Sequence, residues 1–328
     1  MIPWTSEEHL ISEEILEEAH STFSSHFSHD AWFERTLHLS WQSALNCTFC
    51  HASPKPHLTN ALAAKRSDAS LGAEAYLAKQ LNWKLQLSPG YLPHHIKDLV
   101  ETCKKLNTIT NEKVWLETLP RSGGDIALLK DHITGITIPL ETVNKGIRKR
   151  LHPNISIQDV LTTFDDAKSL RKGISITLGV GENLSDIQEL QHLISSNHID
   201  KVIFNPILPH KNTQFKKSPS SFYMTRWIAE TRIAFPKVEI VVGTWRGRVA
   251  EVGLFMKAGA NAITKFPAVK RFNSEDAQSI EQEVKTANRN FLSTLTDVGK
   301  VAELRDTITD PETKEKLLSY LHTIQEHK

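Results

Sequence analysis

Cys47 and Cys50 stand three positions apart in Cys47-Thr48-Phe49-Cys50, and two soft thiolates at that spacing can grip one metal centre. Ser43 occupies the place where a further cysteine would complete a C-x3-C-x2-C arrangement. Taken alone, a Cys-x-x-Cys pair serves zinc, a disulfide redox couple, haem attachment or an iron-sulfur cluster. Structural zinc normally takes a second pair of thiols, and Cys103 is the one left; the 16 histidines keep a Cys2His2 site open, although no histidine pair lies at finger spacing. With His51 the pair also matches C-x-x-C-H, but haem attachment requires export and no export signal is visible. A thioredoxin-like pair would open a helix after its second cysteine, whereas here Pro54 and Pro56 follow. Cys103 belongs with Ile96, Leu99, Val100 and Leu106 on a helical apolar stripe, which marks it as an inert core thiol.

These residues need a scaffold, and 328 residues suffice for a barrel-sized core. Lys+Arg 39 against Asp+Glu 38 leaves a net charge of +1, so neither nucleic acid nor an acidic membrane surface is an expected partner. Three cysteines make no disulfide framework. No apolar run approaches a membrane span, and Met1 to Glu8 lacks the layout of a signal peptide, so a cytoplasmic location is expected.

After an acidic helical opening (Ser6 to about His20), eight extended runs alternate with helical ones. The runs are Leu37 to Trp41, Leu85 to Ser88, Val114 to Thr118, Gly135 to Leu140, Ile174 to Gly179, Lys201 to Asn205, Val238 to Gly243 and Ala262 to Lys265. Helical periodicity fills segments such as His94 to Leu106, Ser156 to Leu170, Leu184 to Ser195, Ser221 to Ala234 and Arg248 to Ala258. That rhythm predicts an α/β fold, a (β/α)8 TIM-type barrel. We expect one domain over 1–328: a helical lead over 1–35, a barrel core over about 36–272, and a helical tail over 273–328 without a new strand.

Several strands carry one apolar and one polar parity. Helices must cover the first; the second, with Gln86, Ser88, Thr137, Glu141, Ser175 and Thr177, then faces the lumen. Branched aliphatics fill many such barrels, so a polar lumen points to a polar ligand or to an internally hydrogen-bonded interior.

From about Leu37 to Phe272 the chain resembles the radical S-adenosylmethionine (SAM) superfamily, and within it the biotin-synthase-like branch. The resemblance implies that the loop after the first strand holds a [4Fe-4S] cluster through Cys47 and Cys50, with Ser43 at the third ligand's position and Phe49 as the aromatic before the last cysteine. Ser88-Pro89-Gly90 looks like the second-strand motif that meets the methionine amino group. Pro139 and Glu141, with Arg150 beyond, resemble the fourth-strand segment whose acidic residue reaches the ribose or methionine moiety. Thr177 and Gly179 are similar to the segment beside adenine, Asn205 to the sixth-strand segment, and Thr244-Trp245-Arg246 and Thr264-Lys265 to the last two strand ends. In the family, the cluster gives one electron to the sulfonium, the S–C5′ bond breaks, and the nucleoside radical abstracts a substrate hydrogen. The protein supplies placement and exclusion of water.

Glu141 also has a structural reading, an ion pair with Arg148 or Arg150. His94 and His95 read as solvated, Lys265 as an internal counter-ion, and Trp245, Arg246 and Arg248 as rim residues or a carboxylate site. Ser43 is the departure from the family pattern. A hydroxyl ionises far less readily than a thiol, so cluster binding is expected to be weaker, completed by Ser43, His51 or a partner's residue, or lost. The expected function is SAM cleavage for hydrogen abstraction in cofactor biosynthesis, including lipoyl-type sulfur insertion as in archaeal two-component lipoyl synthases. The substrate would be a small molecule or a lipoyl-type protein-bound group. No second cysteine set exists for an auxiliary cluster, so sulfur donation would need a cluster-bearing or second radical SAM subunit, alongside an electron donor. The rival expectation is a non-catalytic, cluster-poor homologue that binds SAM or serves as a partner subunit.

Overall fold

The computed structural model describes residues 11–40, 47–50, 64–89, 95–152, 155–211 and 213–325. Over them the alternating pattern becomes β1 (Asp30–His38), β2 (Lys84–Ser88), β3 (Val114–Glu117), β4 (Ile133–Glu141), β5 (Arg171–Leu178), β6 (Lys201–Pro206), β7 (Glu239–Gly243) and β8 (Ala262–Thr264). All neighbouring pairs are parallel, in the order β2-β3-β4-β5-β6-β7-β8-β1. Residues Glu34 to His38 of β1 then pair with Lys84 to Ser88 of β2, and the sheet closes on itself. The result is a TIM-type (β/α)8 barrel.

Helices form where apolar spacing and caps agree. Serine side chains accept a backbone N–H at the start of α2 (Asp68–Gln80), α4 (Gly123–Leu129), α6 (Ile157–Asp166), α8 (Ser221–Ala234) and α10 (Glu275–Thr286). Ser156 and Asp159 complete a reciprocal capping box on α6. Asn111 and His198 close α3 (Ile96–Thr110) and α7 (Asp186–Asn197) in the left-handed conformation. Ile136, Ile138 and Leu140 of β4 and Ile174, Ile176 and Leu178 of β5 point outward and are buried in the layer between strands and helices. Each such side chain contributes about 1.5–3 kcal/mol by leaving water.

Three boundaries differ from the sequence expectation. The first helix, α1, spans Glu13–His26 and does not end near His20; residues 1–10 lie outside the described ones. Serines and a threonine weaken the helical pattern around Phe23, yet that ring is fully buried, with the Arg289 guanidinium 3.6 Å from its centroid. The barrel begins at Asp30, ahead of residue 36, because Glu34 and Arg35 disguise a buried strand and find their counter-ions only in space. The tail does contain a strand: β9 (Asn290–Phe291) pairs with Asp30 and Ala31.

Trp32, Ile203, Val241 and Ala262 form a small apolar cluster. Beside it, from the first position of β6, the buried Lys201 ammonium bonds Glu34 across the barrel and Glu239 at the start of β7 at 3.2 Å, with the Trp115 ring 4.5 Å away. Burial pushes the ammonium down and the two carboxylates reverse this, holding Lys201 above the ordinary lysine range. Removing one partner of such a group strands buried charge. Lys201→Met is therefore expected to cost about 3–5 kcal/mol of unfolding free energy in urea titration, and a loss below about 1 kcal/mol would show that water reaches the site.

Candidate active site at the carboxyl ends of the strands

A cavity of about 880 Å³ opens at the carboxyl ends of the strands and reaches down to Glu34. Cys47 and Cys50 both line it, the first buried and the second half-buried. Their loop docks across the mouth by identifiable contacts. Thr213 donates to the Thr48 carbonyl at 3.3 Å, and His210 Nε2 donates to the Phe49 carbonyl at 3.2 Å. The Phe49 ring packs on the small cluster of Ile147, Leu151, Val180 and Ile207. Phe49 thus ties the cysteine loop to the ends of β4, β5 and β6.

Glu141 stands at the tip of β4 with φ 65, in the left-handed region that non-glycine residues seldom occupy, just past a register shift against β5. The Thr177 hydroxyl donates to one carboxylate oxygen, and His152 Nε2 lies 3.5 Å from the other. The other face of the story is Cys47: its sulfur is 3.7 Å from both ring nitrogens of His152. A buried line Thr177–Glu141–His152–Cys47 therefore runs from the lumen wall to the thiol. Burial first, then the charges of Glu141 and Cys50, push the Cys47 thiol well above its ordinary range. A thiol held up in this way is a weak nucleophile while no metal is bound.

The cavity gathers Phe49, Ser88, Pro139, Glu141, Thr177 and Asn205 around the two thiols. The buried Asn205 Oδ1 has no hydrogen-bond partner among the described residues and offers a ready acceptor to a ligand. Pro89 is buried but does not line the cavity, and Ser43 and Gly90, like Trp41, His51 and His94, lie outside the described residues. Arg150 is a correction: it is exposed on α5 (Lys145–Leu151), away from the cavity, because the helical turn presents Arg148 inward instead. Arg148 donates to the Leu140 carbonyl at 2.7 Å and forms no ion pair with Glu141. Gly179 also stands off the wall. With φ +93, and with a Cβ bound to meet Ile207 and Pro219 at 2.8 Å, it makes the turn that lets the buried Glu182 carboxylate accept the backbone N–H of Gly179 and Val180.

Trp245 and Lys265 line the cavity, the latter at φ 67 on the tip of β8. Arg246 pairs with Asp276 and Arg248 with Glu251, both off the wall, and His95 is an exposed helix cap. Residues that sequence reasoning did not single out include His152, His38, Thr36, Glu34 and Glu117. The alternation of β1 and β3 carried a signal for the last four. Ser319, Tyr320 and Thr323 of α12 (Pro311–Gln325) complete one wall, where Tyr320 contacts the Ser70 hydroxyl at 2.8 Å beside the Arg66–Glu74–Arg35 ion cluster. Among the described residues no group of three or more His, Cys, Asp or Glu side chains is placed to hold a metal ion, and no helix is long and apolar enough to cross a membrane.

Comparison with known proteins agrees with this geometry. Residues 44–194 match the model of the radical SAM superfamily, and residues 203–290 match that of the biotin and thiamin synthesis associated domain. The chain belongs to the radical SAM superfamily, and the two matched regions meet between α7 and β6 of a single closed barrel. It is 32% identical over 303 residues to the uncharacterized protein MJ0597 of Methanocaldococcus jannaschii, covering 88% of this chain and 83% of that one. Its fold is similar to that of methylornithine synthase (PylB), with a TM-score of 0.66, 17% identity, and 79% and 82% of the two chains covered. It is also similar to the FeFe-hydrogenase maturase HydG of Carboxydothermus hydrogenoformans, with a TM-score of 0.70, 16% identity, and 96% and 84% covered.

The three thiols should differ in reactivity before any metal is added. Cys103, fully buried in the α3 packing and pushed up to about 12, and Cys47 should both lag behind half-buried Cys50. Iodoacetamide labelling at pH 8 of metal-free protein, followed by peptide mass spectrometry, should find Cys50 alkylated at least about tenfold faster, as thiolate fraction and access dictate. Equal rates at Cys47 would mean that its loop does not sit as described.

Proposed function

We propose that this protein is a radical SAM enzyme that holds a [4Fe-4S] cluster through Cys47 and Cys50 and acts by hydrogen abstraction in cofactor biosynthesis. The observation that carries the reading is the convergence of both thiols with Glu141, Thr177 and Asn205 on one cavity at the barrel mouth. The donor set fits such a cluster in kind, since both sulfurs are soft, and Ser43 stands in the remaining motif position. When bound, the cluster supplies the electron for reductive cleavage of the cosubstrate.

The chain's own residues do the rest. Phe49 and its apolar cluster hold the thiol loop in register with the strand tips. Glu141, fixed by Thr177 and His152, offers carboxylate oxygens to ribose hydroxyls or to an amine. Asn205 offers its unpaired amide oxygen, and Ser88 and Pro139 present small surfaces that let a nucleoside approach. α12 and Trp245 close the walls against water. Lipoyl-type sulfur insertion is the finer proposal, with the sulfur source on a cluster-bearing partner and an external electron donor.

Ser43 favours a second reading, a non-catalytic, cluster-poor homologue that binds SAM without cleaving it or serves as a partner subunit. Anaerobic reconstitution with iron counting and an assay for 5′-deoxyadenosine separates the two: the enzyme reading expects bound iron lost in Cys47→Ala and Cys50→Ala, and 5′-deoxyadenosine formed by the unaltered chain. Ser43→Cys should raise cluster occupancy. No gain in iron, with no nucleoside formed by either protein, would leave the partner-subunit reading standing.

A further inference from the structure

Below the level of Glu141 the lumen is short of hydrogen-bond donors. Glu117, at the tip of β3, lines the cavity and accepts from the Gln86 amide nitrogen at 2.8 Å; among the described residues no lysine, arginine or histidine pairs with it. That contact turns the Gln86 amide oxygen away, and this buried atom has no partner. Glu34, 2% exposed, spends one carboxylate oxygen on Lys201, while its other oxygen is buried without a partner. Thr36, the next lumen-facing residue of β1, lines the same cavity with an unpartnered hydroxyl. Lys201 cannot supply the missing donors, because its charge is already shared between Glu34 and Glu239.

Buried acceptors left without donors cost free energy, and a carboxylate in a narrow lumen attracts positive charge. Ser88 at the tip of β2 and Ser175 within β5 also line the cavity and can accept as readily as they donate. Lys265 and Lys270 line the same cavity from the β8 side, but among the described residues no cation pairs with Glu117; a carboxylate or phosphate ligand beside Glu117 and Glu34 would be repelled, whereas a primary ammonium brings three N–H donors and one positive charge.

We propose that the lumen floor is a substrate subsite for a protonated amine, with Glu117, oriented by the Gln86 amide, as its counter-ion and the unpartnered acceptors of Glu34 and Thr36 beside it. The subsite rests on the proposed function only for the place of the cosubstrate above it; its ligand chemistry stands on the floor residues themselves. The substrate is then an amine-bearing molecule whose amino end is lowest in the barrel and whose carbon chain rises toward the thiols. Glu117 is a specificity residue in this arrangement.

The test uses the whole chain as isolated and needs neither cluster nor cosubstrate cleavage, so its failure is distinct from failure of the radical SAM reading. n-Pentylammonium, n-pentanoate and n-pentanol are compared by ligand-observed NMR and calorimetry. The amine is expected to bind at least about tenfold tighter than either analogue, and Glu117→Gln to lose at least about tenfold of that affinity, the weight of one charge-assisted hydrogen bond. Thr36→Val, which keeps the shape, should weaken the amine alone by a smaller factor and serves if Glu117→Gln does not fold. Equal binding of amine and carboxylate, or unchanged amine affinity in both variants, overturns the proposal. So does a Glu117→Gln protein that keeps the amine and loses SAM, since the carboxylate would then serve the cosubstrate.

Discussion

The Lys201 ammonium is the charge around which the interior is arranged. A closed parallel barrel of eight strands leaves a lumen that aliphatic side chains ordinarily fill. Here they form only a small cluster, and beside it the amino-terminal end of the lumen is held by one lysine bonded to carboxylates of β1 and β7. Because these acids lie on strands far apart in sequence, the contact works only when the barrel is closed. It permits a polar lumen above it, and the polar lumen makes room for ligand chemistry at the mouth.

The mouth follows the same logic of placing unusual groups and fixing them by neighbours. Glu141 and Lys265 end their strands in the left-handed conformation, and Gly179 and Gly181 take positive φ on the β5 loop. These turns bring a carboxylate, an ammonium and a sharply folded loop to one rim. The cysteine loop is then a surface feature docked on this rim through Phe49, His210 and Thr213. His152 links the two systems by touching both Cys47 and Glu141, so the carboxylate on β4 and the thiol after β1 share one buried environment.

The cavity also has a wall from outside the repeating units. α12 brings Tyr320 against Ser70 of α2 and places Ser319 and Thr323 at the opening. The tail is therefore part of the chamber as well as packing, and with β9 it covers the seam where β1 starts. The region that matches the radical SAM superfamily includes both thiols, whereas the α12 wall lies beyond both matched regions.

Strand parity, serine caps and the spacing of Cys47 and Cys50 are local properties, and from them the eight strands, most helices and the polar inner face could be read directly. Glu141 and Thr177 were visible for the same reason, since a polar residue at the end of an alternating strand has few other places to point; Asn205 was singled out only by the family resemblance. Arg150 could not be told from Arg148 by spacing, because both sit on one short helix and only packing against Leu140 selects which turns inward. The start of β1 was hidden because Glu34 and Arg35 look hostile to burial until Lys201 and Glu74 stand opposite them. His152 was equally silent. Its meaning lies in distances to groups on other strands and loops, and chain closure over such separations is what sequence periodicity, a short-range signal, does not carry.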